Sequence, residues 1–236
     1  MLVSVYVGEL NRLFYDTERY ERYFKGLSDE RKKRTEKIGS FEGRCRSVGA
    51  GLMLDEALKK YGFREKDMSI IYGENGKPVF KDAPELFFNL SHSKKRAMCV
   101  IGNFPAGCDV EHIHKVNDGI AHRFFTEKDN FILSEAKALG EEEYKKKFYT
   151  LWTLKESYIK CTGLGLKCPL DSFAFSYDGI RYQIDDKPEY VFSTFTGEDL
   201  NSICETVESN DDEIYVYSVC LKSGEIFNLS VNYFVL

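Results

Sequence analysis

Hydrophobic residues along the chain recur with two periods, and the changes between them outline its elements. Met1-Leu2-Val3-Ser4-Val5-Tyr6-Val7 reads as a strand. A basic segment near Ser28 to Lys37 reads as a helix with Ser28 placed to cap it, and a longer amphipathic helix runs from about Phe41 to Tyr61. Apolar runs at Ile70-Ile71-Tyr72, Phe87-Phe88-Asn89-Leu90 and Ala97-Met98-Cys99-Val100-Ile101 predict three more strands, after which Phe104-Pro105-Ala106 breaks the pattern. A second round opens with a strand from Cys108 to Ile113. Thr126 then starts a helix, with Asp129 three residues on in the position that completes a capping box. Another helix spans Lys147 to Cys161 and is stopped by Gly163 and Gly165. Strands are expected at Phe173-Ala174-Phe175, Tyr190-Val191-Phe192, Ile214-Tyr215-Val216-Tyr217 and Asn228 to Leu236, with turn signals at Tyr177-Asp178-Gly179 and Ser209-Asn210-Asp211-Asp212. No internal repeat is strong enough to show duplication.

The same periods decide which side chains share a face. On the Lys147 to Cys161 helix, Trp152, Glu156 and Lys160 follow at i, i+4 spacing along one stripe. On the strand from Cys108, alternation sends Asp109 and Glu111 to the same side. If strand and helix meet, three carboxylates converge beside a lysine, a set suited to Mg²⁺ that also holds a polyphosphate. Taken singly, each piece has a plainer reading. Glu156 and Lys160 form an ordinary helix pair of roughly 0.3–0.5 kcal/mol, Asp109 and Glu111 a solvated strand edge, and Trp152 packs inward with Phe148, Leu151 and Ile159. In Phe87-Phe88-Asn89-Leu90-Ser91-His92-Ser93 an apolar strand runs into a polar turn. Its hydroxyls either bond to nearby backbone or cradle phosphate oxygens. His112 and His114 form an HxH pair, but no Cys or third His stands in register to complete a zinc site.

Composition narrows the class. With 236 residues, 43% hydrophobic and 30% charged, the chain can bury a full core as one large or two small domains. Its apolar runs fall far short of the ~20 residues of a membrane span, and no basic leader with a cleavage site precedes the first strand. A cytoplasmic protein with no membrane partner is therefore expected. The net charge of −5 argues against general nucleic-acid binding. Seven cysteines without a C-x-x-C pair argue against both a disulfide framework and a zinc knuckle. Charge is uneven, however: residues 31 to 46 hold seven basic side chains against two acidic ones, either a solvated helix face or an anion cradle.

Phe88-Asn89-Leu90-Ser91-His92-Ser93, then Gly107-Cys108-Asp109-Val110-Glu111, then Phe124 to Asp129, then Trp152 to Lys160 with Gly163-Leu164-Gly165-Leu166, resemble in order and spacing the motifs of the 4′-phosphopantetheinyl transferases. The length is similar to that of the larger, pseudodimeric branch typified by peptide-synthetase activators, and the resemblance runs from about Ser28 to Phe173. It implies an α+β fold of two similar α/β subdomains related by a pseudo-twofold axis, with the active site at their interface. The subdomains would be 1–106 and 107–236, the last strands able to pack back on the first. It also implies transfer of the 4′-phosphopantetheine group of coenzyme A to a serine of an apo acyl or peptidyl carrier protein, Mg²⁺-dependent, by a monomer. Arg31, Arg34, Arg46, His92 and Gly76-Lys77-Pro78 would grip the 3′-phosphate and adenine, with Ser91 also on the co-substrate. Asp109, Glu111 and Glu156 would hold the metal. Glu156, directly or through a metal-bound water, would act as base, and Lys160 would neutralise and protonate the leaving phosphate. Lys155 lies about 100° around the helix from Glu156 and serves a phosphate or the fold. Asp129 matches an acidic position of the family as well as the cap. A Mg²⁺-dependent nucleotide phosphohydrolase would use the same carboxylates but consume coenzyme A alone, and a non-catalytic binding module would do neither.

Overall fold

A computed structural model of the chain describes residues 2–203 and 214–236. Met1, Cys204 and the turn expected at Ser209 to Asp212 lie outside the described residues. Strand β1 (Leu2–Glu9) leads into two helices that the hydrophobic pattern did not announce, α1 (Asn11–Tyr15) and α2 (Thr17–Lys25). Their signal is local: the Asp16 side chain accepts from the Arg19 amide and caps α2. Helix α3 (Asp29–Glu36) starts at the expected cap, where the Ser28 hydroxyl accepts from Arg31 N, and α4 (Phe41–Lys59) follows behind Ser40. A small hairpin, β2 (Ile70–Tyr72) and β3 (Pro78–Phe80), precedes the longer strands β4 (Phe87–Ser93), β5 (Arg96–Gly102) and β6 (Ala106–His112). Helices α5 (Asp118–Phe124), α6 (Glu127–Leu139) and α7 (Glu141–Thr162) come next. The chain then runs through β7 (Ser176–Tyr177), β8 (Tyr182–Gln183), β9 (Tyr190–Thr196), α8 (Gly197–Ile203), β10 (Tyr215–Lys222) and β11 (Asn228–Val235). Among the described residues no helix is long and apolar enough to cross a membrane.

Two sheets carry the architecture. One has the order β11-β1-β5-β4 and the other β6-β10-β9. The first includes the last strand of the chain, which pairs in parallel with β1 from Leu2↔Asn228 to Glu9↔Val235. Helix α4 covers one face of that sheet with Val48, Met53, Leu54, Ala57 and Leu58. The opposite face, Val3, Val5, Val7, Met98 and Val100, shares a core with Cys108, Val110, Tyr217 and Val219 of the second sheet. The far side of the second sheet packs on α7 through Leu151, Leu154 and Tyr158 with Phe175, Phe192 and Val216. Sheet strands therefore stand between the helices, and α7 lies directly on β6.

Where the two sheets meet, side chains take the place of a strand ladder. Asn89, Ser91 and Ser93 alternate along β4, and their side-chain oxygens accept from the β6 amides of Cys108 (3.0 Å), Val110 (3.4 Å) and His112 (3.2 Å). Satisfying these amides lets β4 and β6 run side by side without strand pairing. Gly107 fixes the distance to α7. A Cβ at this position would stand 2.1 Å from Ser157 O and 2.3 Å from Cys161 N, backbone atoms that cannot rotate away. Gly107→Ala should therefore push α7 off β6, at a cost of about 1–3 kcal/mol of overpacking or more. Any activity of the expected acidic centre should fall with it, because the strand carries Asp109 and Glu111 and the helix carries Glu156 and Lys160. Melting and turnover measured on one sample test this; a variant with native activity would show that the helix need not lie so close.

One expected strand is absent. Phe173-Ala174-Phe175 is irregular backbone, and its polar groups go to two buried charges instead of a neighbouring strand. Phe173 O accepts from Lys155 Nζ (2.5 Å), and Phe175 N donates to Asp129 Oδ1 (3.4 Å). Asp129 also completes the expected capping box with Thr126 at the start of α6.

Candidate active site

Asp109 and Glu111 on β6 face Glu156 and Lys160 on α7, and the four side chains line a cleft. Lys160 Nζ lies 2.6 Å from Asp109 Oδ1 and 3.1 Å from Ser91 Oγ. Burial alone would pull the Lys160 pKa down; Asp109, with smaller help from Cys108 and Glu156, more than offsets this and holds it above the ordinary lysine value. The ammonium is therefore charged at neutral pH. On Glu156 and Glu111 burial acts in the opposite sense. Burial raises both carboxyl groups above the usual carboxylate range, and the negative charge of Asp109 raises them further. Among the described residues no hydrogen bond ties down the Glu156 carboxylate, which leaves it free to turn toward a substrate.

The serines of β4 do what the sequence did not reveal. Ser91 Oγ donates to Asp109 Oδ1 and Ser93 Oγ to Glu111 Oε2, each at 2.7 Å, while the same hydroxyls accept from β6 amides. Ser91, expected on the co-substrate, thus orients a carboxylate, and Ser93, whose hydroxyl was expected to bond to nearby backbone or to cradle phosphate, orients the other. The only sequence signal was their alternation with His92.

The cleft has two lobes, of about 630 and 600 Å³. Both are lined by Gly76, Pro78, Asn89, Glu156 and Lys160, so the glutamate and lysine stand at the junction. The first lobe is polar and adds Arg31, Arg34, Tyr72, His92, Asp109, Glu111 and Trp152. Arg31 is held by Glu65, a carboxylate only 1% exposed that also accepts from Ser28 N and Ser28 Oγ. Arg34 bonds the Tyr72 hydroxyl and lies over its ring. Arg46 stands close enough to act on His92. Loss of water around the His92 ring lowers its pKa, and the positive charges of Arg46 and Lys160 lower it further, although the ring reaches the surface. The second lobe is more apolar, with Phe124, Ile159, Leu166 and Leu170, and has Arg123 and Asp171 in its lining.

Trp152 is half-buried: it stacks on Phe148, meets Phe124 edge-on and still lines the polar lobe. Of the two roles expected for Lys155, the contacts favour the fold: it is fully buried, pairs with Asp129 at 2.8 Å and donates to Leu170 O and Phe173 O. Lys77 likewise spends its ammonium on backbone, donating to Ala106 O and Cys161 O. His114 is held by the Tyr149 hydroxyl and by His112 O.

Among the described residues no group of three or more His, Cys, Asp or Glu side chains is gathered so as to hold a metal ion; the three carboxylates line one cavity without closing on a common point. The donor set nonetheless fits a hard cation. Asp109 Oδ2 is buried and has no hydrogen-bond partner, and the proximity of Asp109 raises the pKa of both glutamates, a crowding that a divalent ion relieves.

A mixed α/β enzyme with an acidic centre between a basic lobe and an apolar lobe is the class that this geometry defines. Residues 105–220 match the profile of the 4′-phosphopantetheinyl transferase superfamily. The 4′-phosphopantetheinyl transferase Sfp of Bacillus subtilis (strain 168) is 32% identical over 158 residues, covering 66% of this chain and 69% of the relative. The 4′-phosphopantetheinyl transferase gsp of Aneurinibacillus migulanus is 42% identical over 100 residues, 42% of this chain and 40% of that one. The holo-[acyl-carrier-protein] synthase of Thermotoga maritima superposes on half of the chain with a TM-score of 0.35 and 16% identity. The chain belongs to the 4′-phosphopantetheinyl transferase superfamily.

Proposed function

We propose that this cleft transfers the 4′-phosphopantetheine group of coenzyme A to a serine hydroxyl of an apo acyl or peptidyl carrier protein, releasing adenosine 3′,5′-bisphosphate, with Mg²⁺ held by Asp109, Glu111 and Glu156. The observation that carries the reading is the meeting of Glu156 and Lys160 at the junction of the two lobes, with Asp109 of the polar lobe paired to Lys160. Arg31 and Arg34 of the polar lobe, with Arg46 near His92, supply the positive charge that a 3′-phosphate requires; arginine forks suit its oxygens, and the His92 ring can donate its N–H. Pro78, in the lining of both lobes, would face the adenine. Glu156, at the junction of the two lobes, accepts the proton of the attacking serine. As the bond from the β-phosphorus to the leaving phosphate breaks, Lys160 neutralises the growing charge and can return a proton to it. Bound at this centre, Mg²⁺ would supply charge stabilisation to the pyrophosphate. Ser91 and Ser93 keep the carboxylates turned toward the cleft.

Residues before and after 106 both line the polar lobe, which supports a site shared by subdomains 1–106 and 107–236 within one monomer; a pseudo-twofold relation between them is part of the same proposal. The reading places the enzyme in the cytoplasm, without nucleic acid or membrane as partners. Intact-mass analysis of apo acyl and apo peptidyl carriers incubated with the protein, coenzyme A and Mg²⁺, against EDTA controls, tests it. The expected result is a metal-dependent gain of one phosphopantetheine group. Coenzyme A consumed without a gain on the carrier would make the protein a phosphohydrolase instead.

A further inference from the structure

The C-terminal end of α7 lacks intrahelical partners for its last carbonyls. Gly163, at φ +71°, turns the chain and returns its amide to Ile159 O. Cys161 O, one residue beyond Lys160, takes a different donor: Lys77 Nζ at 2.6 Å. The same ammonium reaches Ala106 O at 3.1 Å, the first residue of β6 and three before Asp109. The lysine stem crosses Gly163, with Cδ 3.0 Å from where a Cβ would stand. Lys77 therefore links three elements: the β2–β3 hairpin that bears it, the strand of Asp109 and Glu111, and the helix of Glu156 and Lys160. A cation at a helix C-terminus is favoured by the exposed carbonyls and by the helix dipole.

We infer that Lys77 is a positioning residue, a clasp that holds the end of α7 against the start of β6 so that Glu156 and Lys160 stay opposite Asp109. The need for it follows from Gly107. At this crossing the helix lies on bare backbone, and no side chain of residue 107 interlocks with α7 to stop it sliding along the strand. Two charge-assisted hydrogen bonds from a third element supply that restraint, and the ammonium used in this way is not available to grip a phosphate. The inference rests on the catalytic roles proposed for Glu156 and Lys160.

Lys77→Met keeps the stem and removes the ammonium. With carrier protein and coenzyme A, its kcat is expected to fall about tenfold or more, as for a catalytic group displaced by part of an ångström. The KM for coenzyme A, and its Kd measured by calorimetry without carrier, should stay within about twofold of the parent. Amide exchange followed by mass spectrometry should quicken in residues 156–163 and remain parent-like in α4. A tenfold weaker Kd with kcat preserved would overturn the proposal in favour of direct contact with coenzyme A, and parent-like values throughout would also overturn it. Should Lys77→Met fail to fold, Lys77→Gln, which keeps a donor but is too short to reach both carbonyls, should give the same split between kcat and KM. If the unaltered protein modifies no carrier, the proposed function falls, while the exchange and calorimetric measurements still decide whether the clasp exists.

Discussion

Replacing Glu156 by glutamine is expected to lower phosphopantetheine transfer by about a thousandfold, the middle of the range that a positioned general base supplies, while making the metal-free protein more stable. The two effects have one origin. Glu156 and Glu111 bind a proton more tightly in the folded protein than in the unfolded chain, because burial and Asp109 raise both. Their contribution to stability is therefore present below the ordinary glutamate pKa and is lost as pH rises through the raised values. At neutral pH the fold carries crowded negative charge that glutamine relieves. The melting temperature of Glu156→Gln without metal should exceed that of the parent at pH 7, and the gap should close on acidification. Mg²⁺ should raise the parent's melting temperature more than the variant's. Equal turnover by parent and variant would remove Glu156 from the chemistry, and a variant that melts lower at pH 7 would mean that the carboxylates are not in mutual repulsion.

Breaking the Lys155–Asp129 pair is expected to have the largest effect on folding. Both side chains are fully buried, and each serves groups beyond its partner: Lys155 the carbonyls of Leu170 and Phe173, Asp129 the Thr126 cap and the Phe175 amide. Burial lowers the Lys155 pKa, and Asp129 opposes the shift. Lys155→Met leaves Asp129 as an unpaired charge in an apolar site, at a cost of about 3–5 kcal/mol. Lys155→Met combined with Asp129→Asn should recover part of the loss, since it removes the stranded charge. Urea unfolding of the single and double variants measures both quantities. A single variant within about 1 kcal/mol of the parent would show that the pair is replaceable by water.

These two sites show what was legible in the sequence and what was not. Local rules served wherever the partner lies within one turn or one strand. Ser28 and Thr126 cap their helices, and Asp109 shares a face with Glu111. The destination of Lys155 could not be read in this way. Its angle to Glu156 kept it off the catalytic stripe, but its partner lies across the fold on α6. Phe173 to Phe175 looked like a strand because aromatic alternation reports burial, not which groups satisfy the backbone; there the buried ion pair does so. The orienting role of Ser93 required knowing that β4 abuts β6, and the close approach at Gly107 required the path of α7. The acidic centre was legible as a set of residues; the groups that aim it were not, because they come from neighbours in space.

The parallel pairing of β11 with β1 has a consequence for how the protein is made. β1 holds β5 on one side, but its other edge stays open until residues 228–235 have emerged from the ribosome. The first sheet therefore cannot close until those residues follow, although its other strands all come from residues 2–102. Such a distant contact slows folding and leaves an unpaired strand edge exposed in the meantime.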